Sequence, residues 1–406
     1  MNKQALSGIV VLDFTQLLAG PYATQMLGDL GADIIKIERI KTGDIFRAMN
    51  LMGKYVNDKV SAQYLSWNRN KRSMSIDVRT EEGREIIYTM VKTADVVVEN
   101  FRPGVMDKMG LGYEKLKEIN PRIVFASNSG FGTSGPYVTR PGQDQLVQGL
   151  CGLMTFIGNK KSGPVPVGPV LSDALSSLNM VYGILAALYH VQKTGEGQKL
   201  EVDLMRSMLS MESEAFMGLL NLDIKIERPD SGIAHPMYGV PFGVYQCADG
   251  YLTIAMNPFD KVVHVLEAPE LLEYMERDEL FTRRDEIFHK MEAITKQKPT
   301  DYWLKKMLAV DLWVARVNSM EEVENDPQVK HIGAIQSYHH KLCGNVRYIG
   351  PAVTLSETPP TFRYAPPMIG EHTREILCQY GYSEQRINSL FESGVAFEEE
   401  VPANLQ

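Results

Sequence analysis

Apolar residues fall along the first half of the chain in short blocks that alternate between two periods. Residues 9–14 (IVVLDF) form a continuous apolar run of strand length, 21–30 carry helical spacing with proline at the start, and 33–38 read as a second strand. The pattern repeats as a helix over 81–92, a strand over 95–99, a helix over 113–119 and a strand over 122–127. Such alternation predicts an α/β fold with a Rossmann-like parallel sheet covered by helices, and it puts ligands at the carboxyl ends of the strands. The loops at those ends are residues 17–23, 99–104 and 127–137. A long apolar stretch, 175–191, has only Ser176, Ser177, Asn179 and His190 as clearly polar members, which predicts a helix buried on most sides. Ser172 and Asp173 stand at its N-cap, and the run 193–197 (KTGEG) ends it before a strand over 199–204. A carboxylate at the positive end of a buried helix is favoured in its ionised form, so Asp173 is a candidate nucleophile at neutral pH. Position alone makes it only a cap, because helix starts select aspartate for that purpose.

After residue 204 the texture changes. A Met-rich helical run leads to a polar loop and then to a hairpin turning at Ala248, Asp249 and Gly250, with helices over 259–266, 282–296 and 300–309. These patterns predict a large α/β domain over 1–224, a smaller α+β domain over 225–330, and a C-terminal segment, 331–406, that returns to the large one. The proline-rich stretch 358–367 cannot make a compact element and is expected to wrap over a surface.

Composition narrows the function classes. With 406 residues, 44% hydrophobic and 23% charged, the chain is an ordinary globular protein, and a formal charge of −8 argues against nucleic-acid binding. The four cysteines, Cys151, Cys247, Cys343 and Cys378, are far apart, which disfavours a zinc site and a disulfide framework alike and points to a reducing, cytoplasmic setting; no metal is expected. No signal-like N-terminus and no apolar span of membrane length is read, so no membrane association is expected. Glu38 ends the second strand where a ribose-binding acid would stand, but the first turn has only Ala19, Gly20 and Pro21 in place of a G-x-G-x-x-G fingerprint, which argues against a nicotinamide or flavin. The glycine-rich loop 129–136 lacks the Lys-Ser/Thr ending of a P-loop.

Seven stretches in order, LSGIVVLDFTQLLAGPYATQMLGDLGADIIKIER, NRNKRSMSIDV, ADVVVENFRPG, SGFGTSGPY, RPGQDQLVQGLCGLM, YGILAALYHVQKTGEGQKLEVDL and IGEHTREIL, resemble the class III CoA-transferases, the family that includes carnitine, formyl and bile-acid CoA-transferases. The likeness runs from about Leu6 to Val395. It implies that Asp173 is the nucleophile, attacking an acyl-CoA thioester to give a mixed anhydride and then an aspartyl-CoA thioester. No cofactor is held permanently; coenzyme A and its acyl thioesters are substrates, together with a carboxylic acid. By position the resemblance puts Leu18 and Ala19 against the adenine and Arg39 at the phosphates. A strand over 76–79, with Ile76 and Arg79, lies nearby, Asn100 and Phe101 follow the pantetheine, and Lys108 meets another phosphate; Arg72 and Arg102 are auxiliaries. Gly232 and Gly239 fall where the family carries a mobile loop over the nucleophile. The resemblance also implies an interlocked homodimer.

Two departures matter. Racemases of the same fold carry a histidine where Gln143 stands, and an amide is no general base, so an acyl-CoA racemase or isomerase is the lesser alternative. Asp144 beside it reads as structural or as orienting Gln143 or the active-site loop. Ser177 replaces a frequent glycine and is expected to narrow or re-polarise the pocket. A non-catalytic CoA-binding protein is the alternative from another class. His235, Met237 and Tyr238 are candidates for the acid pocket, with formate, oxalate, succinate, a carnitine-like acid and a bile acid all open.

Overall fold

Six parallel strands, Val10–Asp13 (β1), Asp33–Glu38 (β2), Lys71–Ile76 (β3), Val96–Glu99 (β4), Val124–Ser129 (β5) and Lys199–Asp203 (β6), pair in the order β3-β2-β1-β4-β5-β6. Ala396–Phe397 adds a short antiparallel edge outside β3. This computed structural model describes residues 4–222 and 224–400. The strand order reverses between β1 and β4, which is the crevice where doubly wound sheets bind ligands.

Successive side chains of a strand face opposite sides, and both sides here are apolar because helices cover both. Leu12, Ile35, Met74, Val97 and Phe125 join one core with the helices Glu81–Val91, Tyr113–Ile119, Thr373–Gln379 and Glu384–Glu392. Val11, Ile34, Val96 and Val124 join another with Ala23 and Leu27 of Ala19–Asp29 and with Met180, Ile184, Ala187 and Val191 of the long helix Leu171–Thr194. That helix ends where Gly195 adopts a left-handed conformation (φ 78°) and returns its N–H to the Val191 carbonyl.

Contacts divide the chain into two compact units. The first comprises the residues up to Val147, Val170–Met208 and those from Gln328 onward; the second comprises Gln148–Pro169 and Leu209–Pro327. Residues 148–169 and 209–222, expected with the large domain, therefore pack in the second unit. Hydrogen bonds explain the first of these: the Lys160 N–H donates to the Pro229 carbonyl, and the Arg228 guanidinium donates to the Ile157 carbonyl. The second unit has an antiparallel sheet of Gly243–Gln246, Tyr251–Ile254 and Val314–Arg316, closed over Tyr245, Leu252, Phe288 and Met291.

Several expectations shift. The long helix is buried on one stripe, Ser172, Ser176, Met180, Ile184, Ala187 and Val191, while Leu178, Tyr182 and Tyr189 on other faces are exposed. It also contains an 18-residue stretch of mean hydropathy 1.3, so an apolar span of membrane length does occur, although its buried stripe packs on the sheet as a core helix does. The strand expected over 76–79 runs instead over Lys71–Ile76, because Lys71 and Arg72 are neutralised inside the protein and do not end it. Residues 358–367 form no element and wrap as expected, with Arg363 donating to the Gly28 and Ala32 carbonyls.

Candidate active site

The loop after β1 is built by charges hidden beneath it. Asp13 accepts from the Thr15 N–H and hydroxyl and from the Thr24 hydroxyl, and pairs with Lys71 at 3.0 Å. Lys71 also donates to the Pro21 carbonyl and Asn68; Lys36 donates to the Thr15 carbonyl at 2.8 Å and pairs with Asp44 at 2.9 Å. Asp44 in turn accepts from the N–H of Leu17, which has a left-handed backbone (φ 64°). Burial opposes ionisation of Asp13, yet Lys71 and Lys36 outweigh it and hold the carboxyl down to about 2. Burial brings Lys71 down to about 8, so the pair is ionised at neutral pH. No motif in the sequence announced this network; its one signal was charged residues inside otherwise apolar strands.

Above it, at the carboxyl ends of β1 to β4, lies a cavity of about 500 Å³ whose walls include Thr15, Gln16, Arg39, Ile76, Arg79 and Phe101. Of the residues expected at CoA, Arg39, Ile76, Arg79 and Phe101 are therefore brought together. Arg39 and Arg79 are exposed at the rim, Arg79 held by Asp77 at 2.7 Å. Leu18 and Ala19 are buried at the start of the first helix, outside the cavity wall. The Asn100 side chain clamps the loop, accepting from the Gln16 N–H and donating to the Gln16 carbonyl, so it shapes the cavity's edge without lining it. Lys108 is exposed on the short helix Val105–Lys108, from which Val105, not Lys108, reaches the wall. Arg102 is also exposed. Arg72 is corrected: it starts β3 at the opposite end of the sheet and is spent on Asp33 (2.6 Å) and Glu375 (2.7 Å). Beneath Phe101, Glu99 accepts the Phe101 N–H, and burial pushes its carboxyl up to about 7.

Asp173 is the third residue of the long helix, not its cap. Capping is done from elsewhere: buried Asp144 accepts from the Ser172 N–H (2.6 Å) and hydroxyl (2.8 Å), which gives Asp144 a definite structural role. The Asp173 carboxylate is left half-buried, with no hydrogen bond among the described residues. Burial first, and then the negative charge of Asp144, push it up to about 7 from 3.8. This reverses the expected effect of the helix end, which is worth about 0.3–1 kcal/mol, less than one pH unit. The Asp173 carbonyl lies within bonding distance of the Ser176 and Ser177 hydroxyls, and Ser177 also reaches the Ala19 carbonyl at 2.6 Å. Ser177 is fully buried, a tie between the helix turn bearing Asp173 and the start of the first helix rather than a pocket wall. Asn128 at the end of β5 donates to Ser176. Gln143 is exposed, and its carbonyl accepts the Val147 N–H.

Gly232 and Gly239 are packing positions in the second unit. The Gly232 carbonyl accepts the Val244 N–H, and a Cβ there would lie 2.5 Å from the Val244 oxygen; one at Gly239 would lie 2.2 Å from the Leu280 oxygen. Both lie in an irregular segment rather than in a helix or strand. His235 stacks edge-on against Phe156 at 4.8 Å and lies 4.7 Å from Tyr238.

Comparison with known proteins agrees with this architecture. The model of CoA-transferase family III matches residues 6–373. The chain is 32% identical to human succinyl-CoA:glutarate CoA-transferase, covering 98% of this chain and 91% of that one. It is 30% identical to formyl-CoA:oxalate CoA-transferase of Escherichia coli O6:H1, covering 95% and 98%. A CAIB/BAIF family protein from Brucella suis superposes with a TM-score of 0.79 at 31% identity, over 93% of this chain and 99% of that one. The chain belongs to CoA-transferase family III and is a CoA-transferase.

Proposed function

We propose that the protein moves CoA from an acyl-CoA to a carboxylic acid with Asp173 as the covalent nucleophile. The observation that carries this reading is the Asp173 carboxylate itself: half-buried, without a hydrogen bond among the described residues, and borne on the helix turn that Ser177 ties to the Ala19 carbonyl at the start of the first helix. The ionised carboxylate attacks the thioester carbonyl, and CoA leaves as thiolate while a mixed anhydride forms. The thiolate then attacks the aspartyl carbon and expels the donor acid, leaving an aspartyl-CoA thioester. The acceptor carboxylate attacks that thioester, and the returning thiolate takes the new acyl group and regenerates Asp173. Holding every partner makes each step unimolecular, which is what a weak carboxylate nucleophile needs. Arg39 and Arg79 at the rim of the 500 Å³ cavity supply cations for the CoA phosphates, and Ile76 and Phe101 supply apolar surface. Succinyl-CoA with glutarate and formyl-CoA with oxalate are the pairs to try first, because relatives carry those names. The apolar face of the long helix supports a homodimer.

Hydroxylamine quenching followed by peptide mass spectrometry tests the reading. A hydroxamate on the peptide bearing Asp173, absent from Asp173→Ala, is the expected result. An adduct on another residue, or transfer at wild-type rate by Asp173→Ala, refutes it.

A further inference from the structure

In the loop after β1, the backbone N–H groups of Thr15, Gln16 and Leu17 all donate to side chains, those of Asp13, Asn100 and Asp44 in turn. The Thr15 and Gln16 carbonyls accept from side chains as well, Lys36 and Asn100. Such a loop takes a shape that neither helix nor strand supplies, and its polar groups are matched one by one from outside. Leu17 carries the strain of that shape. Its φ of 64° is a left-handed backbone that residues with a Cβ disfavour, and it persists only where the surroundings over-determine it. The Leu17 side chain does not explain the conformation, because it is 39% exposed and outside the wall of the 500 Å³ cavity, which Thr15 and Gln16 line.

The restraint converges on Asp44. One of its carboxylate oxygens accepts the N–H groups of Leu17 (3.1 Å) and Phe46 (2.9 Å), and the other pairs with Lys36 at 2.9 Å. Lys36 returns to the Thr15 carbonyl at 2.8 Å, so one buried carboxylate holds both ends of the loop. Gly20 closes the packing, since a Cβ there would lie 2.3 Å from the Thr15 Cβ. We propose that Asp44 is a positioning residue for CoA: it keeps Leu17 left-handed and thereby fixes Thr15 and Gln16 as cavity wall. Asp44 is itself 1% exposed and acts through the loop. A wall already ordered loses little freedom when the ligand arrives, so the restraint appears as affinity. This assignment rests on the cavity being the CoA site.

Titration calorimetry with coenzyme A tests it. Arg39→Ala with Arg79→Ala first locates the ligand: binding weaker by about tenfold or more is expected, and wild-type affinity would overturn both the CoA reading of the cavity and this proposal. Glycine at position 17 takes the left-handed backbone without steric penalty, whereas a β-branched residue resists it most. Leu17→Val is therefore expected to bind CoA about tenfold more weakly than Leu17→Gly. Asp44→Ala should weaken CoA by about tenfold, and adding Leu17→Gly should recover most of that loss. A residue that served stability alone would leave the affinity of the folded protein untouched. Wild-type affinity in a folded Asp44→Ala, a loss there that Leu17→Gly does not lessen, or equal affinity in Leu17→Val and Leu17→Gly would each overturn the proposal while leaving the CoA reading standing. If Asp44→Ala does not fold, the pair of variants at the exposed Leu17 decides.

Discussion

At the scale of one residue, the tension lies in Asp173, which as the proposed nucleophile must be ionised to attack but sits where ionisation is costly. With its carboxyl up to about 7, kcat/KM is expected to rise about tenfold per pH unit below that point and to level off above it. Asp144→Asn removes the like charge while its amide oxygen still accepts from Ser172, so the rising limb should move to lower pH by about half to one unit. Rate profiles between pH 5 and 9 for both proteins check this, and an unmoved limb would show that burial alone sets the value. Stability has the opposite sign. A carboxyl raised from 3.8 binds its proton more tightly folded than unfolded, so folding loses stability as pH rises from about 4 to about 7. Asp173→Asn should therefore be more stable than the wild type by a few kcal/mol at pH 8 and by little at pH 4, as read by urea unfolding.

At the scale of elements, the site depends on ties between segments far apart in sequence. Lys71 of β3 neutralises Asp13 of β1, and Lys71→Met should cost about 3–5 kcal/mol because it strands a buried carboxylate; adding Asp13→Asn should recover part of that in a double-mutant cycle. Ser177→Ala releases the Ala19 carbonyl and should cost about 1–3 kcal/mol in urea unfolding. These ties also show what the sequence could convey. β1, β2 and the helices Glu81–Val91 and Tyr113–Ile119 were legible because their apolar periods are local. β3 was not, since its first two residues are charged and only their distant partners, Asp13 and Asp33, make them buried strand residues. Asp173 stood out by its place at a helix start, but its displacement from the cap depends on Asp144, 29 residues earlier, a contact that no spacing rule encodes.

For the whole molecule, alternation of strands and helices conveyed a parallel sheet, whereas the strand order that creates the crevice between β1 and β4 is a property of packing and not of period. The same distinction bears on assembly. The long helix is apolar all round, yet only one stripe of it meets the sheet; Leu178, Tyr182 and Tyr189 remain 50%, 67% and 61% exposed. Large apolar side chains on one element mark a surface that something covers. Leu178 and Tyr182 also line a cavity of about 900 Å³ in the first unit, with Trp67, Tyr338 and Ile349, so the uncovered area extends beyond the helix. The proposed homodimer would cover that surface with a second copy of the chain. Light scattering at micromolar concentration should give two chains per particle, and Leu178→Lys with Tyr182→Lys should shift it toward one, since both positions face outward and burying a lysine in an apolar interface is unfavourable. A wild-type monomer would refute the dimer, and recovery of the chain only in detergent would assign the helix face to lipid instead.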